Sequence, residues 1–163
     1  MTKRQPIIGV MGASSCDASV YHEAYQVGQW IARRGAILLC GGLTGVMEAA
    51  AKGAKNEGGL TIGILPGSNE RESPPNPYID IAIFTGMSDA RNAINVRSSD
   101  VVIALWGSFG TLSEIALALK IGKPVVLLHS WKFEVEPPPP PANLEVASTP
   151  QDAVTLALAL IGR

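Results

Sequence analysis

Four short loops rich in glycine, serine and threonine are the part of this sequence best suited to binding chemistry. They span residues 12–17, 41–45, 85–91 and 107–111, and each follows an apolar run of strand length. Glycine lets a backbone approach an anion closely, and serine and threonine add hydroxyl donors. The loops therefore predict a phosphate-binding site at one edge of a sheet.

Two of these loops carry most of the prediction. Residues 41–45 read Gly-Gly-Leu-Thr-Gly, and residues 107–111 read Gly-Ser-Phe-Gly-Thr. Each could also be a tight strand-to-helix turn without a ligand, but two on one edge are more specific than one. The predicted ligand-binding residues are Gly12, Ser14, Gly41, Gly42, Thr44, Gly45, Arg91, Asn92, Gly107, Ser108, Gly110, Thr111 and Glu114.

Arg91 and Glu114 are the two charged residues expected at the same edge. An arginine can hold a phosphate through two parallel hydrogen bonds, and a glutamate can accept sugar hydroxyls or act as an acid or base. Asn92 and Asn95 could add hydrogen bonds. A purely structural interpretation stays open, because residues 111–114 also fit a helix capping box and Arg91 could pair with Glu114 or Asp89.

The sequence lacks the common nucleotide-binding signatures. It contains no Gly-x-x-x-x-Gly-Lys-Ser/Thr motif, and the run from Gly9 to Ser14 lacks the third glycine of a dinucleotide fingerprint. These absences argue against an ATPase and against a dehydrogenase.

Alternating strand and helix patterns position the loops. Strands are predicted at 7–11, 36–40, 60–65, 79–84, 101–105 and 124–128, and helices at 20–34, 46–56, 90–98 and 112–121. The strands are almost continuously apolar, as is typical of strands buried on both faces. This rhythm predicts an α/β fold, Rossmann-like and three-layered, with a mainly parallel doubly wound sheet.

Helix caps and a proline run mark the ends of the pattern. Ser19 is a candidate cap for the first helix, and Ser148 or Thr149 precedes Pro150 at the start of a last helix. Residues 131–143 include five consecutive prolines, which can neither continue a helix nor donate to a ladder. We expect them to form an extended connector to the C-terminal helix.

Composition limits the classes of function. The 163 residues suit one domain over 1–163, and a hydrophobic share of 47% suggests a subunit interface and a homo-oligomer. Thirteen basic and fourteen acidic residues, with no basic stripe, argue against nucleic acid as a partner. No apolar run is long enough for a membrane span and no signal peptide is recognisable, so we expect a cytoplasmic protein without a membrane partner.

The cysteines and histidines predict no further chemistry. Cys16 and Cys40 are too few for a disulfide scaffold or a structural zinc site, and we expect no bound metal ion on protein ligands. Both are interpreted as packing residues near the predicted edge. His22 and His129 are interpreted as structural.

Two blocks of the sequence resemble a known superfamily. Gly-Gly-Leu-Thr-Gly-Val-Met-Glu-Ala begins at Gly41, and Arg91-Asn92 is followed by Ser-Asp-Val-Val-Ile-Ala and by Gly-Thr-Leu-Ser-Glu-Ile-Ala from Gly110. The pair resembles the superfamily once misnamed lysine-decarboxylase-like, which includes the LONELY GUY cytokinin-activating phosphoribohydrolases. The resemblance covers residues 7–128. The old decarboxylase name does not fit, since no lysine for a cofactor Schiff base lies in the four loops.

Within the superfamily, the short chain and the Arg-Asn pair look most like the branch of molybdenum cofactor carrier proteins. That resemblance implies a binding protein for the molybdenum cofactor, a phosphorylated pterin, with a tetrameric assembly and molybdoenzymes as possible partners. The alternative is a phosphoribohydrolase that cleaves nucleoside 5′-monophosphates, for which the resemblance implies Arg91 and Glu114 as catalytic residues and a dimer.

Two departures from the enzyme motif favour the carrier. The enzymes read Pro-Gly-Gly-x-Gly-Thr-x-Glu-Glu, whereas this chain has Trp106-Gly107-Ser108 at the start and Ser113 in place of the first glutamate. The second change removes a carboxylate from the site. The sequence therefore leaves enzymatic activity open and favours binding without reaction.

Overall fold

A computed structural model describes residues 4–133 and 143–162. Within this part of the chain, seven strands form one sheet in which all neighbouring strands are parallel, in the order β4-β3-β2-β1-β5-β6-β7. The strands are β1 (Ile7–Gly12), β2 (Ile37–Cys40), β3 (Thr61–Leu65), β4 (Ile81–Phe84), β5 (Val101–Leu105), β6 (Val125–Leu128) and β7 (Leu144–Ala147). The predicted fold class is confirmed.

Five α-helices cover the two faces of the sheet. They are α1 (Ala18–Arg33), α2 (Val46–Asn56), α3 (Asn92–Ser98), α4 (Phe109–Lys120) and α5 (Pro150–Ile161). Helices α1, α2 and α5 pack on one face and α3 and α4 on the other. The central strands are therefore buried on both sides, and every residue of β5 and β6 is buried. This double burial explains the continuous apolar runs.

The structure corrects several predicted element boundaries. Asp17, and not Ser19, caps α1, because its Oδ1 accepts the Val20 N–H at 2.9 Å. Helix α4 begins at Phe109, earlier than the predicted residue 112. The cap of α5 is confirmed at Thr149, whose Oγ1 accepts the Asp152 N–H at 3.1 Å.

Strand β7 was absent from the prediction. It lies at the edge of the sheet, where it pairs with β6, and its Val146 is 72% exposed. An edge strand that is partly exposed to solvent lacks the continuous apolar run from which the other strands were predicted. The predicted connector falls mostly on residues 134–142, outside the described residues, and a strand rather than the connector leads into α5. That residues 1–163 form one domain stays a prediction.

The chain order places a reversal point at the centre of the sheet. From β1 the chain runs outward through β2, β3 and β4, then returns to β5 on the other side of β1. Gly12 and Leu105, the last residues of β1 and β5, are register partners. In open parallel sheets, ligands bind outside the carboxyl ends of the strands at such a switch point. No helix of the described residues is long and apolar enough to cross a bilayer.

Candidate functional site

A cavity of about 220 Å³ opens at the switch point, at the carboxyl ends of β1, β2 and β5. Nine of the predicted site residues line it: Gly12, Ser14, Gly41, Arg91, Asn92, Ser108, Gly110, Thr111 and Glu114. Val10, Met11, Ala13, Leu43, Met47 and Asp89 complete the lining. The structure thus brings together residues from four separate loops.

Four predicted site residues do not line the cavity and instead shape its loops. Gly42 packs beneath the Leu65 side chain, and Gly107 lies against the Thr111 side chain. The Thr44 hydroxyl donates to the Ser14 carbonyl at 2.7 Å, and Gly45 lies against the backbone of residues 13 and 14. Ligand binding by any residue of the predicted set stays a prediction.

The 41–45 loop is held in shape from outside by Asn76. The Asn76 Nδ2 donates to the carbonyls of Gly42 at 3.2 Å and Leu43 at 2.8 Å, and its backbone N–H donates to Gly42 at 2.9 Å. Gly42 has a φ of 76° and Gly45 of 68°, values that favour glycine. Asn76 is not among the residues predicted from the sequence. Its only signal was the surrounding prolines at residues 74, 75 and 77, which mark a turn of unspecified type.

Helix α4 points its N-terminus at the cavity. Its N-cap residue, Ser108, makes no side-chain capping bond. The helix starts at Phe109, so Thr111 is not an N-cap and the capping-box interpretation of residues 111–114 is wrong. The first backbone N–H groups of a helix without a cap carry a partial positive charge, and they suit an anion.

Arg91 brings a positive charge to the cavity. It ends a short 3₁₀ turn (Ser88–Arg91) before α3, and its Nη1 donates to Asn92 Oδ1 at 3.2 Å. Its Nε is buried without a partner, and within the described residues neither Asp89 nor Glu114 forms an ion pair with it. Burial lowers the pKa of the guanidinium, although the nearby Glu114 opposes that change.

The backbone of Gly41 is part of the reason that the guanidinium fits. A Cβ added at Gly41 would lie 2.7 Å from Arg91 Nη1 and 2.6 Å from the Met47 sulfur. Real Cβ atoms do not approach so closely, so an alanine at this position would require the Arg91 and Met47 side chains to shift. Gly41 therefore lets the guanidinium lie close to the backbone of the 41–45 loop.

Glu114 is the acidic group of the cavity and is only 6% exposed. Asn95 Nδ2 donates to its Oε1 at 2.9 Å. Burial raises the pKa of Glu114 to about 7, against the lowering effects of Asn95 and Arg91. Asn95 itself is fully buried and its Oδ1 has no partner. Near neutral pH this carboxyl group can therefore donate or accept a proton.

Ser113 connects the two helices beside the cavity. Its hydroxyl donates to the Gly110 carbonyl at 2.7 Å and accepts a hydrogen bond from Asn92 Nδ2 at 3.1 Å. A serine at this position therefore orients Asn92. Asp89, another acid that lines the cavity, was not among the predicted site residues, because nothing in its spacing separates it from an ordinary turn aspartate. No group of three metal-ligating side chains occurs in the described ranges.

Comparison with known proteins yields a family and several solved relatives. The sequence profile of the SLOG cluster4 family matches residues 5–154. The structure of the molybdenum cofactor binding protein from Rippkaea orientalis is 44% identical, with a TM-score of 0.86 over 98% of this chain and 99% of that one. The molybdenum cofactor carrier protein from Chlamydomonas reinhardtii is 38% identical, with a TM-score of 0.85 over 98% and 100%.

An enzyme is also among the relatives. The cytokinin riboside 5′-monophosphate phosphoribohydrolase of Mycobacterium tuberculosis is 33% identical over 73% of this chain and 67% of its own length. The resemblance to the LONELY GUY-like superfamily and to its carrier branch is thereby confirmed. The two cofactor-binding proteins match at higher identity, and over more of the chain, than the phosphoribohydrolase does.

Proposed function

The chain belongs to the SLOG cluster4 family, and on that premise we propose that it is a carrier that holds the molybdenum cofactor by its phosphate without transforming it. The cofactor is cargo here, not a resident catalytic group. Relatives that bind this cofactor share the fold of the chain over nearly its whole length. The proposal extends the binding property of these relatives to this protein.

One observation supports the proposal more than any other: Arg91 is a partly buried cation in a cavity, with an unpartnered Nε, and no carboxylate of residues 4–133 and 143–162 forms an ion pair with it. A buried charge without a partner is strongly unfavourable. A phosphate monoester removes that penalty, because its oxygens accept charge-assisted hydrogen bonds from guanidinium nitrogens. The cavity is therefore suited to an anion before any ligand arrives.

The other lining groups fit the same anion. The uncapped start of α4 offers backbone N–H groups, and Ser108 and Thr111 add hydroxyl groups at the cavity wall. Glu114 does not exclude the anion, since burial keeps the pKa of its carboxyl group at about 7 and a large fraction is uncharged at neutral pH. In its acid form Glu114 can donate a hydrogen bond to a phosphate oxygen.

The proposal is tested by removing the Arg91 charge while keeping its bulk. Arg91→Met should weaken binding of isolated molybdenum cofactor by about 10- to 100-fold, the range expected for lost hydrogen bonds to a charged group. The matched control is Arg97→Met, which removes an exposed arginine from α3, the helix that follows Arg91. Equal affinity in Arg91→Met and the unmodified protein would contradict the phosphate cradle.

A second candidate function is hydrolysis of the N-glycosidic bond of a nucleoside 5′-monophosphate. It is favoured by one observation, a buried Glu114 with a pKa of about 7 in the same cavity as Arg91. Water would add across the bond, giving free base and ribose 5-phosphate, with Glu114 as the proton-transfer group. Ser113 leaves this site with one carboxylate fewer than the enzyme motif.

Incubation with AMP and with cytokinin nucleotides separates the two candidates. The carrier proposal expects no release of free base above the rate in buffer. Base release that disappears in Glu114→Gln would instead establish the hydrolase and reject a pure carrier.

We further propose that the carrier works as a cytoplasmic homo-oligomer that passes its cargo to molybdoenzymes. An exposed apolar surface on the outermost strand supports the assembly: Ile81 and Ile83 of β4 are each 44% exposed. A tetramer is the expected number from the carrier resemblance, and sedimentation velocity would measure it.

A further inference from the structure

Four ring side chains lie on the segments that follow β5 and β6, and the phosphate cradle makes no use of them. They are Trp106, Phe109, His129 and Trp131, called the aromatic rim below. Trp106 and Phe109 flank Gly107 and Ser108, and Ser108 lines the cavity. Leu105 and Leu128, the strand ends that precede these segments, are register partners, so the rings lie at the same sheet edge as the cavity. None of the four rings lines that cavity, and His129 and Trp131 line a second cavity of about 480 Å³.

The rim is built in two pairs of rings. Trp106 and His129 have ring centroids 5.7 Å apart, and Phe109 and Trp131 have centroids 5.8 Å apart. Trp131 Nε1 donates to the Ser108 carbonyl at 3.3 Å, which ties the second pair to the cavity wall. Both distances lie in the range in which aromatic rings attract one another.

Glu23 of α1 holds the first pair. One carboxylate oxygen accepts from Trp106 Nε1 at 2.8 Å, and the other lies 2.8 Å from His129 Nδ1. The backbone is strained at both residues of this pair, because Trp106 has a φ of 49° and His129 a φ of 48°. Glycine would make both turns without strain. The turns alone therefore do not explain why Trp106 and His129 occupy these positions. Strained residues of this kind commonly occur at binding sites.

The cavity is too small to enclose a whole pterin phosphate. Pockets that enclose a whole small-molecule ligand run from roughly 300 to 1,000 Å³. A cavity of about 220 Å³ takes the phosphate end of a pterin phosphate and leaves the ring system at the mouth. Phe109 lies between two residues that line the cavity, Ser108 and Gly110, and is 79% exposed. Exposure to water is unfavourable for a phenyl ring, and a stacked partner would reduce it.

We propose that the aromatic rim is the subsite for a planar heteroaromatic ring system whose phosphate lies in the cavity. The inference rests on the proposed phosphate cradle and adds the element that recognises the rest of the cargo. The rings of a ligand stack on aromatic side chains whatever substituents the ligand rings carry. The cavity, in contrast, binds the negative charge of the ligand. The site thus separates an anchor for the anion from a platform for the rings.

Phe109→Ala is the direct test, because the side chain is so exposed that its loss leaves the core intact. Binding of isolated molybdenum cofactor should weaken by about 5- to 10-fold, as for the loss of one stacked ring. Binding of inorganic phosphate, a probe without rings, should stay unchanged. The control is Ile121→Ala, which removes an exposed apolar side chain at the opposite end of α4.

Tryptophan fluorescence gives an independent measurement. The chain has three tryptophans, and in a Trp30→Phe background only the two rim tryptophans remain. The cofactor should quench their emission at stoichiometric concentration, and inorganic phosphate should not.

The failures are distinguishable. If Phe109→Ala binds the cofactor as tightly as the unmodified protein while Arg91→Met loses it, the rim proposal is wrong and the cradle stands. If the unmodified protein does not bind the cofactor at all, the proposed function fails and the rim proposal fails with it.

Discussion

Replacing Glu114 by glutamine should make the protein more stable above neutral pH. The Glu114 carboxyl group is only 6% exposed, and burial raises its pKa from the ordinary value of 4.5 to about 7. Between these two pH values the folded protein keeps a proton that the unfolded chain has released. The free energy of unfolding therefore falls as the pH rises through this window. Glutamine has nearly the same shape, accepts the Asn95 hydrogen bond and never ionises.

The magnitude follows from the size of the pKa change. Each unit of pKa corresponds to about 1.36 kcal/mol, so a rise from 4.5 to about 7 corresponds to about 3 kcal/mol when the group is fully ionised. The free energy of unfolding of Glu114→Gln should exceed that of the unmodified protein only slightly at about pH 4.5, and the difference should approach this value at about pH 8.

Urea denaturation at a series of pH values measures the gain. The difference in free energy of unfolding between Glu114→Gln and the unmodified protein should rise with pH and level off above neutrality. Parallel pH profiles for the two proteins would refute the reasoning, because they would mean that Glu114 titrates alike in the folded and unfolded states.

Three further predictions concern the elements around the site. Gly45→Ala should lower the free energy of unfolding by at least about 2 kcal/mol, since φ is 68° and the new Cβ would clash with a main-chain carbonyl. The comparison is Gly35→Ala, at φ 70° in open space, which should lower the free energy of unfolding by only about 1 kcal/mol. Urea denaturation measures both. Thr149→Ala should lose about 1 kcal/mol of stability through its missing cap, as seen in thermal melts by circular dichroism. A thiol reagent should modify Cys16 in the folded protein and spare Cys40, whose pKa burial raises to about 11, and both should react after denaturation.

The sheet was predictable because burial on both faces leaves a plain trace in the sequence. The predicted runs of β1, β5 and β6 nearly coincide with the observed strands, all central in the sheet. Strand β7 left no such trace, because it pairs on one side only and exposes Val146. To predict β7, one must know that β6 has an unpaired edge, and only the tertiary structure shows this.

The candidate site was predictable in its location and less so in its details. Glycine-rich loops after parallel strands meet at one edge, so the sequence could indicate Arg91 and Glu114 together. It could not show that Arg91 pairs with neither Asp89 nor Glu114, since ion pairing depends on distances that only the fold sets. Asn76 and Glu23 are the clearest misses, because each acts on a loop far away in sequence.

The central claim is that the cavity beside Arg91 holds the phosphate of an intact molybdenum cofactor. The most direct measurement is the phosphorus-31 NMR spectrum of the cofactor, added without oxygen to the unmodified protein and to Arg91→Met. Binding through the phosphate should give a shifted or broadened phosphate resonance with the unmodified protein, no such change with Arg91→Met, and recovery of unchanged cofactor on denaturation. A resonance that matches the free cofactor in both samples would contradict it.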